Sequence, residues 1–213
     1  MTTIRLGLVH SAAILSLFTS PVTAQLAFPA GTVREGILSF DGRATAGAFT
    51  GTTTSVTGEM TGGGLADVRG WVEAPVNTLK TGNDRRDRDL NKSMESQKYP
   101  TIRFELTGVT AVEPPSDSTP VTLQGRFIIH GVAREASLPA DVTLGPDGVR
   151  VRATTPVNLK DYEIGGLTKM LGMLKMHEEI VVHVDLVFEP AGAPANQARA
   201  TMSEKPITEG RRY

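Results

Sequence analysis

The segment Thr78–Phe104, TLKTGNDRRDRDLNKSMESQKYPTIRF, interrupts an otherwise continuous alternation and fixes how the rest of the chain is read. A strand ends near Leu79, and Thr81-Gly82-Asn83 form a polar turn. Asp84 to Leu90 then places three arginines and three aspartates in seven residues, the densest charge cluster in the chain. A short amphipathic run leads to Tyr99-Pro100, and a new strand opens at Ile102. Before the C-terminal quarter, this is the one place where a helix is expected.

On both sides the apolar residues recur with period two, the signature of half-buried strands. Upstream, Leu38 and Phe40 share a face, Phe49 to Met60 reads as a weak, Thr-rich strand or edge, and Gly62-Gly63-Gly64 is a break. Leu65 to Leu79 reads as one long strand, with Val68, Gly70, Val72, Ala74 and Val76 inward. Trp71 then faces out, where it would anchor a contact between two copies in a homodimer. Downstream, Phe104 and Leu106, then Phe127 and Ile129, then Leu138, Val151, and finally Val182 and Val184 fall on inward rows. The same parity puts His130 and His183 outside. Eight antiparallel strands with hairpin-length connections predict an all-β, up-and-down barrel with one or two short helices. Small inward residues (Gly70, Ala74, Gly125, Ala136, Ala140, Ala153) leave room for a ligand cavity, which a barrel of this size can hold.

The 213 residues fit one domain, and a net charge of −1 gives no electrostatic case for nucleic acid. Arg5, the apolar run Leu6–Phe18 and the small residues before Ala24 predict a signal peptide over 1–24, cleaved near Ala24. That run is too short for a permanent membrane anchor. The expected address is periplasmic or secreted. Residues 25–190 form the barrel domain, and the polar stretch 191–213 is expected to be a disordered tail. The absence of cysteine excludes disulfides and thiolate metal sites.

No nucleophile or metalloprotease motif is present, so an enzyme is not expected and no cofactor is implied. Within the charged segment, Asp84 and Arg88 are spaced for an exposed helical ion pair, the commoner role of such a run. Alternatively, arginines at the barrel mouth would suit phosphate or quinone oxygens, since a guanidinium presents a fork of donors. Arg86 and Arg88 are the candidate headgroup contacts. Met170, Met173 and Met176 recur every three residues before His177. Two readings apply: adaptable apolar filler on a short helix or lid, or a soft-metal site in a periplasmic metal or redox accessory protein.

The order of these motifs resembles the YceI-like family of polyisoprenoid-binding, lipocalin-like proteins. The matching residues are Thr78 to Asn83, Arg86-Asp87 and Arg88-Asp89 before Leu90, and Lys98-Tyr99-Pro100 with Ile102 and Phe104. Leu123 to Val132 (LQGRFIIHGV) is similar to the family's G-x-L-T-I-x-G-V-T strand, and Asp161-Tyr162-Glu163-Ile164 stands where Asp-Phe-Gly-Ile is usual. Ala133 and Glu163 depart from the pattern. The resemblance covers about residues 33–189. It implies a lipocalin-like barrel whose apolar tunnel holds an isoprenoid quinone or polyprenyl lipid for storage or transport. Val72, Phe104, Leu106, Phe127, Ile129, Leu138, Val151, Val182 and Val184 would line that tunnel, with Met170 and Met173 near a mouth.

Overall fold

The computed structural model describes residues 27–111, 118–146, 148–165, 168–169 and 174–191. The predicted signal peptide, the tail from Gly192, and Met170 and Met173 lie outside these residues. The strands are β1 (Gly31–Ala44), β2 (Gly47–Thr53), β3 (Thr57–Thr61), β4 (Arg69–Pro75), β5 (Thr101–Ala111), β6 (Ser118–Ile129), β7 (Val132–Gly145), β8 (Gly148–Asn158) and β9 (Glu179–Pro190). The helix α1 covers Asp84–Ser93. All strand pairs are antiparallel, and β9 pairs with β1 from Val181↔Asp41 to Pro190↔Gly31, closing an eight-stranded barrel.

The eighth strand is split. β2 and β3 are two halves separated at Thr54–Val56, where Thr53 Oγ1 accepts from Ser55 N–H (3.0 Å) and Val56 N–H donates to Thr54 O (3.0 Å). A hydroxyl that offers the backbone a local partner competes with the ladder. β3 continues the sheet to β4, whereas β2 pairs with β1 and, among the described residues, meets a single bridge, Thr52↔Lys80, on its other side. The Thr-rich stretch is thus an edge where the barrel wall opens.

The long strand expected over Leu65–Leu79 is shorter. Gly64 O accepts from Asp67 and Val68 N–H in a turn before it. After Pro75 the chain enters a 3-10 turn, Val76–Thr78, with Thr78 Oγ1 donating to Pro75 O (2.7 Å). Proline contributes no ladder donor, so the strand ends there and the chain leaves the wall. Asn83 then caps α1, its side chain accepting from Arg86 N–H at 3.0 Å.

The connections sort to two ends. The β1–β2 turn, α1, the β6–β7 turn and the 3-10 turn Leu159–Tyr162 share one end; residues 62–68, 146 and the start of β1 share the other. At this far end Phe28, Met60, Val68, Val109, Val121, Val142, Val149 and Phe188 pack into a closed cluster, with Val68 at 0% and Val142 and Val149 at 1% exposure. Phe28 is brought there by the short pairing of Ala27–Phe28 with Gly63–Gly64. A second cluster at the helix end joins Phe40, Val76, Leu79, Met94, Ile129, Val157 and Tyr162.

Outside, ion pairs cross the strands. Arg103 bonds Glu73 and Glu105 (both 3.1 Å) and lies 4.4 Å from the centroid of the Trp71 ring, and Arg126 meets Glu105 at 2.7 Å. Arg126 first, then Arg103, holds the Glu105 carboxyl below its usual range. Trp71 faces out as expected, and Arg103 covers it. His183 is also outside, between Asp41 (3.0 Å) and Thr154 (3.1 Å).

Candidate functional site

A cavity of about 470 Å³ runs from mid-barrel to the helix end. Its inner walls are the inward rows: Leu38 and Phe40 of β1, Val72 and Ala74 of β4, Phe104 of β5, Leu123, Phe127 and Ile129 of β6, Leu138 of β7, Val151 to Val157 of β8, and Val182, Val184 and Leu186 of β9. Thr155 adds a hydroxyl to this apolar wall. Of the residues expected inside, Val72, Phe104, Phe127, Ile129, Leu138, Val151, Val182 and Val184 line the cavity.

Leu106 does not. It packs instead against the far-end cluster. The register of β5 and β6 shifts between Leu106 and Gly108, so Val109 rather than Gly108 takes the next inward position. An extra residue in one strand reverses the parity beyond it.

Cross-strand glycines let the aromatic rings lie flat. Phe40 pairs with Gly51 and Gly42 with Phe49, and Gly125 sits beneath Phe104. A Cβ on Gly125 would come 2.6 Å from the Phe104 ring and closer still to Glu105 O. Phe104 then meets Phe127 at 5.0 Å with the rings tilted by 57°, and Phe40 meets Phe49 edge-on at 6.1 Å.

The mouth is formed by α1 against the open edge of β2. Ala44, Ala46 and Phe49 contribute from the β1–β2 hairpin; Asn83, Arg85, Arg86, Asp89, Leu90, Ser93 and Met94 contribute from α1 and its two caps. Arg86, Leu90 and Ser93 follow the i, i+4, i+7 spacing of one helical face. The Arg86 guanidinium lies 4.3 Å from the centroid of the Phe49 ring. Arg85 is exposed at the rim. Arg88 is exposed and is not part of the cavity wall. It sits about 200° round the helix from Arg86, given 3.6 residues per turn. The candidate pair at the mouth is therefore Arg85 and Arg86, not Arg86 and Arg88.

The buried member of the charged run is Asp87, at 7% exposure. Its Oδ1 accepts from Thr81 Oγ1–H (2.6 Å) and Thr81 N–H (2.9 Å). The Thr81 hydroxyl, more than any other group, holds the Asp87 carboxyl below its usual value. No ion pair joins Asp84 to Arg88 among the described residues; the acid that ties the helix to the loop before it is Asp87. A buried acid three residues inside a polar run has no signal in spacing alone.

His130 departs from its expected outward position. It closes the β6–β7 turn at φ 53° and is 8% exposed. Its Nδ1–H donates to Tyr162 O (3.0 Å) and its ring meets Tyr99 edge-on at 4.5 Å. Glu95 Oε1 lies 3.4 Å from Nε2. Gly131, at φ 77°, accepts the Tyr99 ring against its backbone. Tyr99 and Tyr162 thus meet at the turn, joining the connection that carries α1 to the one after β8. Strand parity does not extend through a turn, which is why it misplaced His130.

Met176 lines the cavity and bridges to Ala44, and His177 N–H donates to Arg43 O (2.8 Å). Thr168–Lys169 and Leu174–Lys175 pair antiparallel, and the expected short helix or lid between them lies outside the described residues. Among the described residues, no cluster of three or more histidine or acidic side chains is placed to hold a metal. No helix among them is long and apolar enough to cross a membrane.

Fold and site together define a closed antiparallel barrel with an apolar tunnel that opens beside a short, arginine-bearing helix. Residues 22–188 match the YceI-like domain, and the chain belongs to the YceI-like family. Among solved structures, it is similar to a polyisoprenoid binding domain from Saccharophagus degradans implicated in plant cell wall breakdown: TM-score 0.61, 15% identity, covering 77% of this chain and 99% of that one. It is also similar to BcnA of Burkholderia cenocepacia, with TM-score 0.60 and 12% identity over 71% of this chain and 95% of that one. No curated protein matches the chain in sequence.

Proposed function

We propose that this protein binds the hydrocarbon chain of an isoprenoid lipid, a quinone or polyprenyl compound, inside the barrel and carries or stores it outside the cytoplasm. The observation that carries the reading is the apolar tunnel lined by Leu123, Phe127, Leu138, Val151, Val182 and Val184 and opening beside Arg85 and Arg86. Burying a chain there contributes about 0.8 kcal/mol per methylene. A guanidinium at the rim offers forked donors to a phosphate or quinone oxygen. The family and the ligand class of the Saccharophagus degradans domain support the same reading. Transport across an aqueous compartment agrees with the predicted signal peptide, and catalysis has no part in it.

Equilibrium dialysis against a radiolabelled isoprenoid quinone tests the proposal. Saturable uptake of about one molecule per barrel is expected, and substituting Val182 by Asp at the tunnel wall abolishes it, because a carboxylate buried beside the chain is costly. Uptake that is non-saturable, or equal in a V182D protein that retains its fold by circular dichroism, contradicts it.

A further inference from the structure

Resting on the reading above for what passes the mouth, we infer that His130 and Glu95 form an acid-triggered latch. Protonation of the buried imidazole pins the connection after α1 and slows exchange of ligand through the tunnel mouth.

The neutral ring has one tautomer here. A carbonyl only accepts, so the bond to Tyr162 O (3.0 Å) places the proton on Nδ1 and leaves Nε2 with a bare lone pair. Nε2 is buried and has no hydrogen-bond partner among the described residues. It faces Glu95 Oε1 at 3.4 Å, and an ionised carboxylate is also an acceptor only. Two acceptors thus oppose each other, one of them out of water, which is a costly arrangement. A proton on Nε2 turns the same geometry into a charge-assisted bond. The Glu95 side chain is half exposed and has room to close the remaining gap.

The backbone singles out the same two residues. Glu95 and His130 both hold left-handed conformations, at φ 45° and 53°. Glu95 ends α1 at the position where glycine is usual: its N–H donates to Lys92 O (3.2 Å), and Ser96 N–H donates to Asn91 O (3.0 Å). A side chain there costs energy that glycine would not, and the contact with His130 gives that strain a use. The other charged groups around the ring are engaged elsewhere. Lys98 Nζ lies 4.8 Å from the centroid of the Tyr99 ring, Arg134 of β7 donates to Asp161 O (3.0 Å), and Lys160 pairs with Glu178 (2.6 Å). Asp161 and Glu163, on either side of Tyr162, are exposed. Glu95 is the carboxylate set against Nε2.

Each side of the latch adjoins the tunnel. Met94 precedes Glu95, Ile129 precedes His130, and Ile164 follows the turn that carries Tyr162. All three line the cavity and pack in the helix-end cluster. Fastening Glu95 to His130 therefore fixes Met94, and with it the C-terminal end of α1, against the barrel. The pair exists only with the protonated ring, so it is present in acid and lost as pH rises through the histidine range.

Glu95→Gln separates the two states, because its amide donates to a neutral Nε2 but cannot form an ion pair with a charged ring. Urea unfolding of the parent and E95Q, at about pH 5.5 and about pH 8, brackets the range in which histidine changes charge. In acid the parent should exceed E95Q by about tenfold or more in its folding equilibrium constant, the weight of a hydrogen bond to a charged group. At the higher pH the order should reverse. In a His130→Asn background, which keeps the left-handed turn, the effect of E95Q should be the same at both pH values; the shared contributions of His177 and His183 cancel in this cycle. Release of bound geranylgeraniol to phosphatidylcholine vesicles should be severalfold slower in acid for the parent, and independent of pH for H130N. A gap between parent and E95Q that ignores pH, a pH-dependent gap that survives in H130N, or equal release rates from the parent at both pH values overturns the latch. Geranylgeraniol that does not bind at all instead overturns the reading of the tunnel, and the unfolding cycle still decides whether the ion pair forms.

Discussion

The guanidinium of Arg86, 4.3 Å from the centroid of the Phe49 ring, joins α1 to the open edge of β2. Among the described residues, β2 has β1 on one side and the Thr52↔Lys80 bridge on the other, so α1 takes the place of a strand neighbour at the mouth. The same arginine borders the tunnel, which makes it both a clasp and a candidate headgroup contact.

Those two roles separate by ligand charge. Arg86→Ala should weaken binding of a prenyl phosphate by about 10–100-fold, the loss of a charge-assisted hydrogen bond, and a prenyl alcohol of equal length much less. Arg88→Ala should change neither, because Arg88 is off the cavity wall. Calorimetric titration of both ligands with both variants measures the difference.

Asp87 makes the helix anchor sensitive to acid. Its carboxyl is held below the ordinary 3.8, first by the Thr81 hydroxyl. A group with a depressed folded pKa stabilises the fold above its unfolded pKa, and that stability is lost as pH falls through the folded value. Asp87→Asn should cost about 1–2 kcal/mol at pH 7 by weakening hydrogen bonds to a charged acceptor. The gap from the parent should narrow as pH falls below the ordinary carboxylate range and the parent carboxyl protonates. Urea denaturation at pH 7 and in acid checks this.

The left-handed turn at His130 predicts an ordered series. Asn tolerates φ near +53° and Ala does not, so His130→Asn should be milder than His130→Ala. The alanine loses the bond to Tyr162 O and the Tyr99 contact, for a cost of about 2–3 kcal/mol in thermal unfolding.

At Gly125 there is no room for a side chain. Gly125→Val would drive Cβ into Glu105 O and the Phe104 ring, and should either unfold the barrel or swing Phe104 into the tunnel. The expected outcome is a lower melting temperature together with reduced uptake of prenyl alcohol.

Much of this was legible from periodicity. The inward rows of β6, β8 and β9 alternate without interruption, and the residues read as inward there line the cavity. Parity failed where the backbone leaves the pleat: beyond Leu106 at the β5 bulge, where Val109 rather than Gly108 turns inward, and at the His130 turn. The charged segment located the helix, but only helical geometry separates Arg85 and Arg86 from Arg88 and exposes Asp87 as the buried acid. Phe28, which plugs the far end, gave no signal, because its position depends on a two-residue pairing with Gly63–Gly64.

The most direct measurement is organic extraction of the protein purified without detergent, followed by mass spectrometry of the extract. The account predicts an isoprenoid lipid near one equivalent per barrel, absent from an extract of the V182D variant. An extract with no isoprenoid, together with no saturable uptake of added quinone, would contradict it.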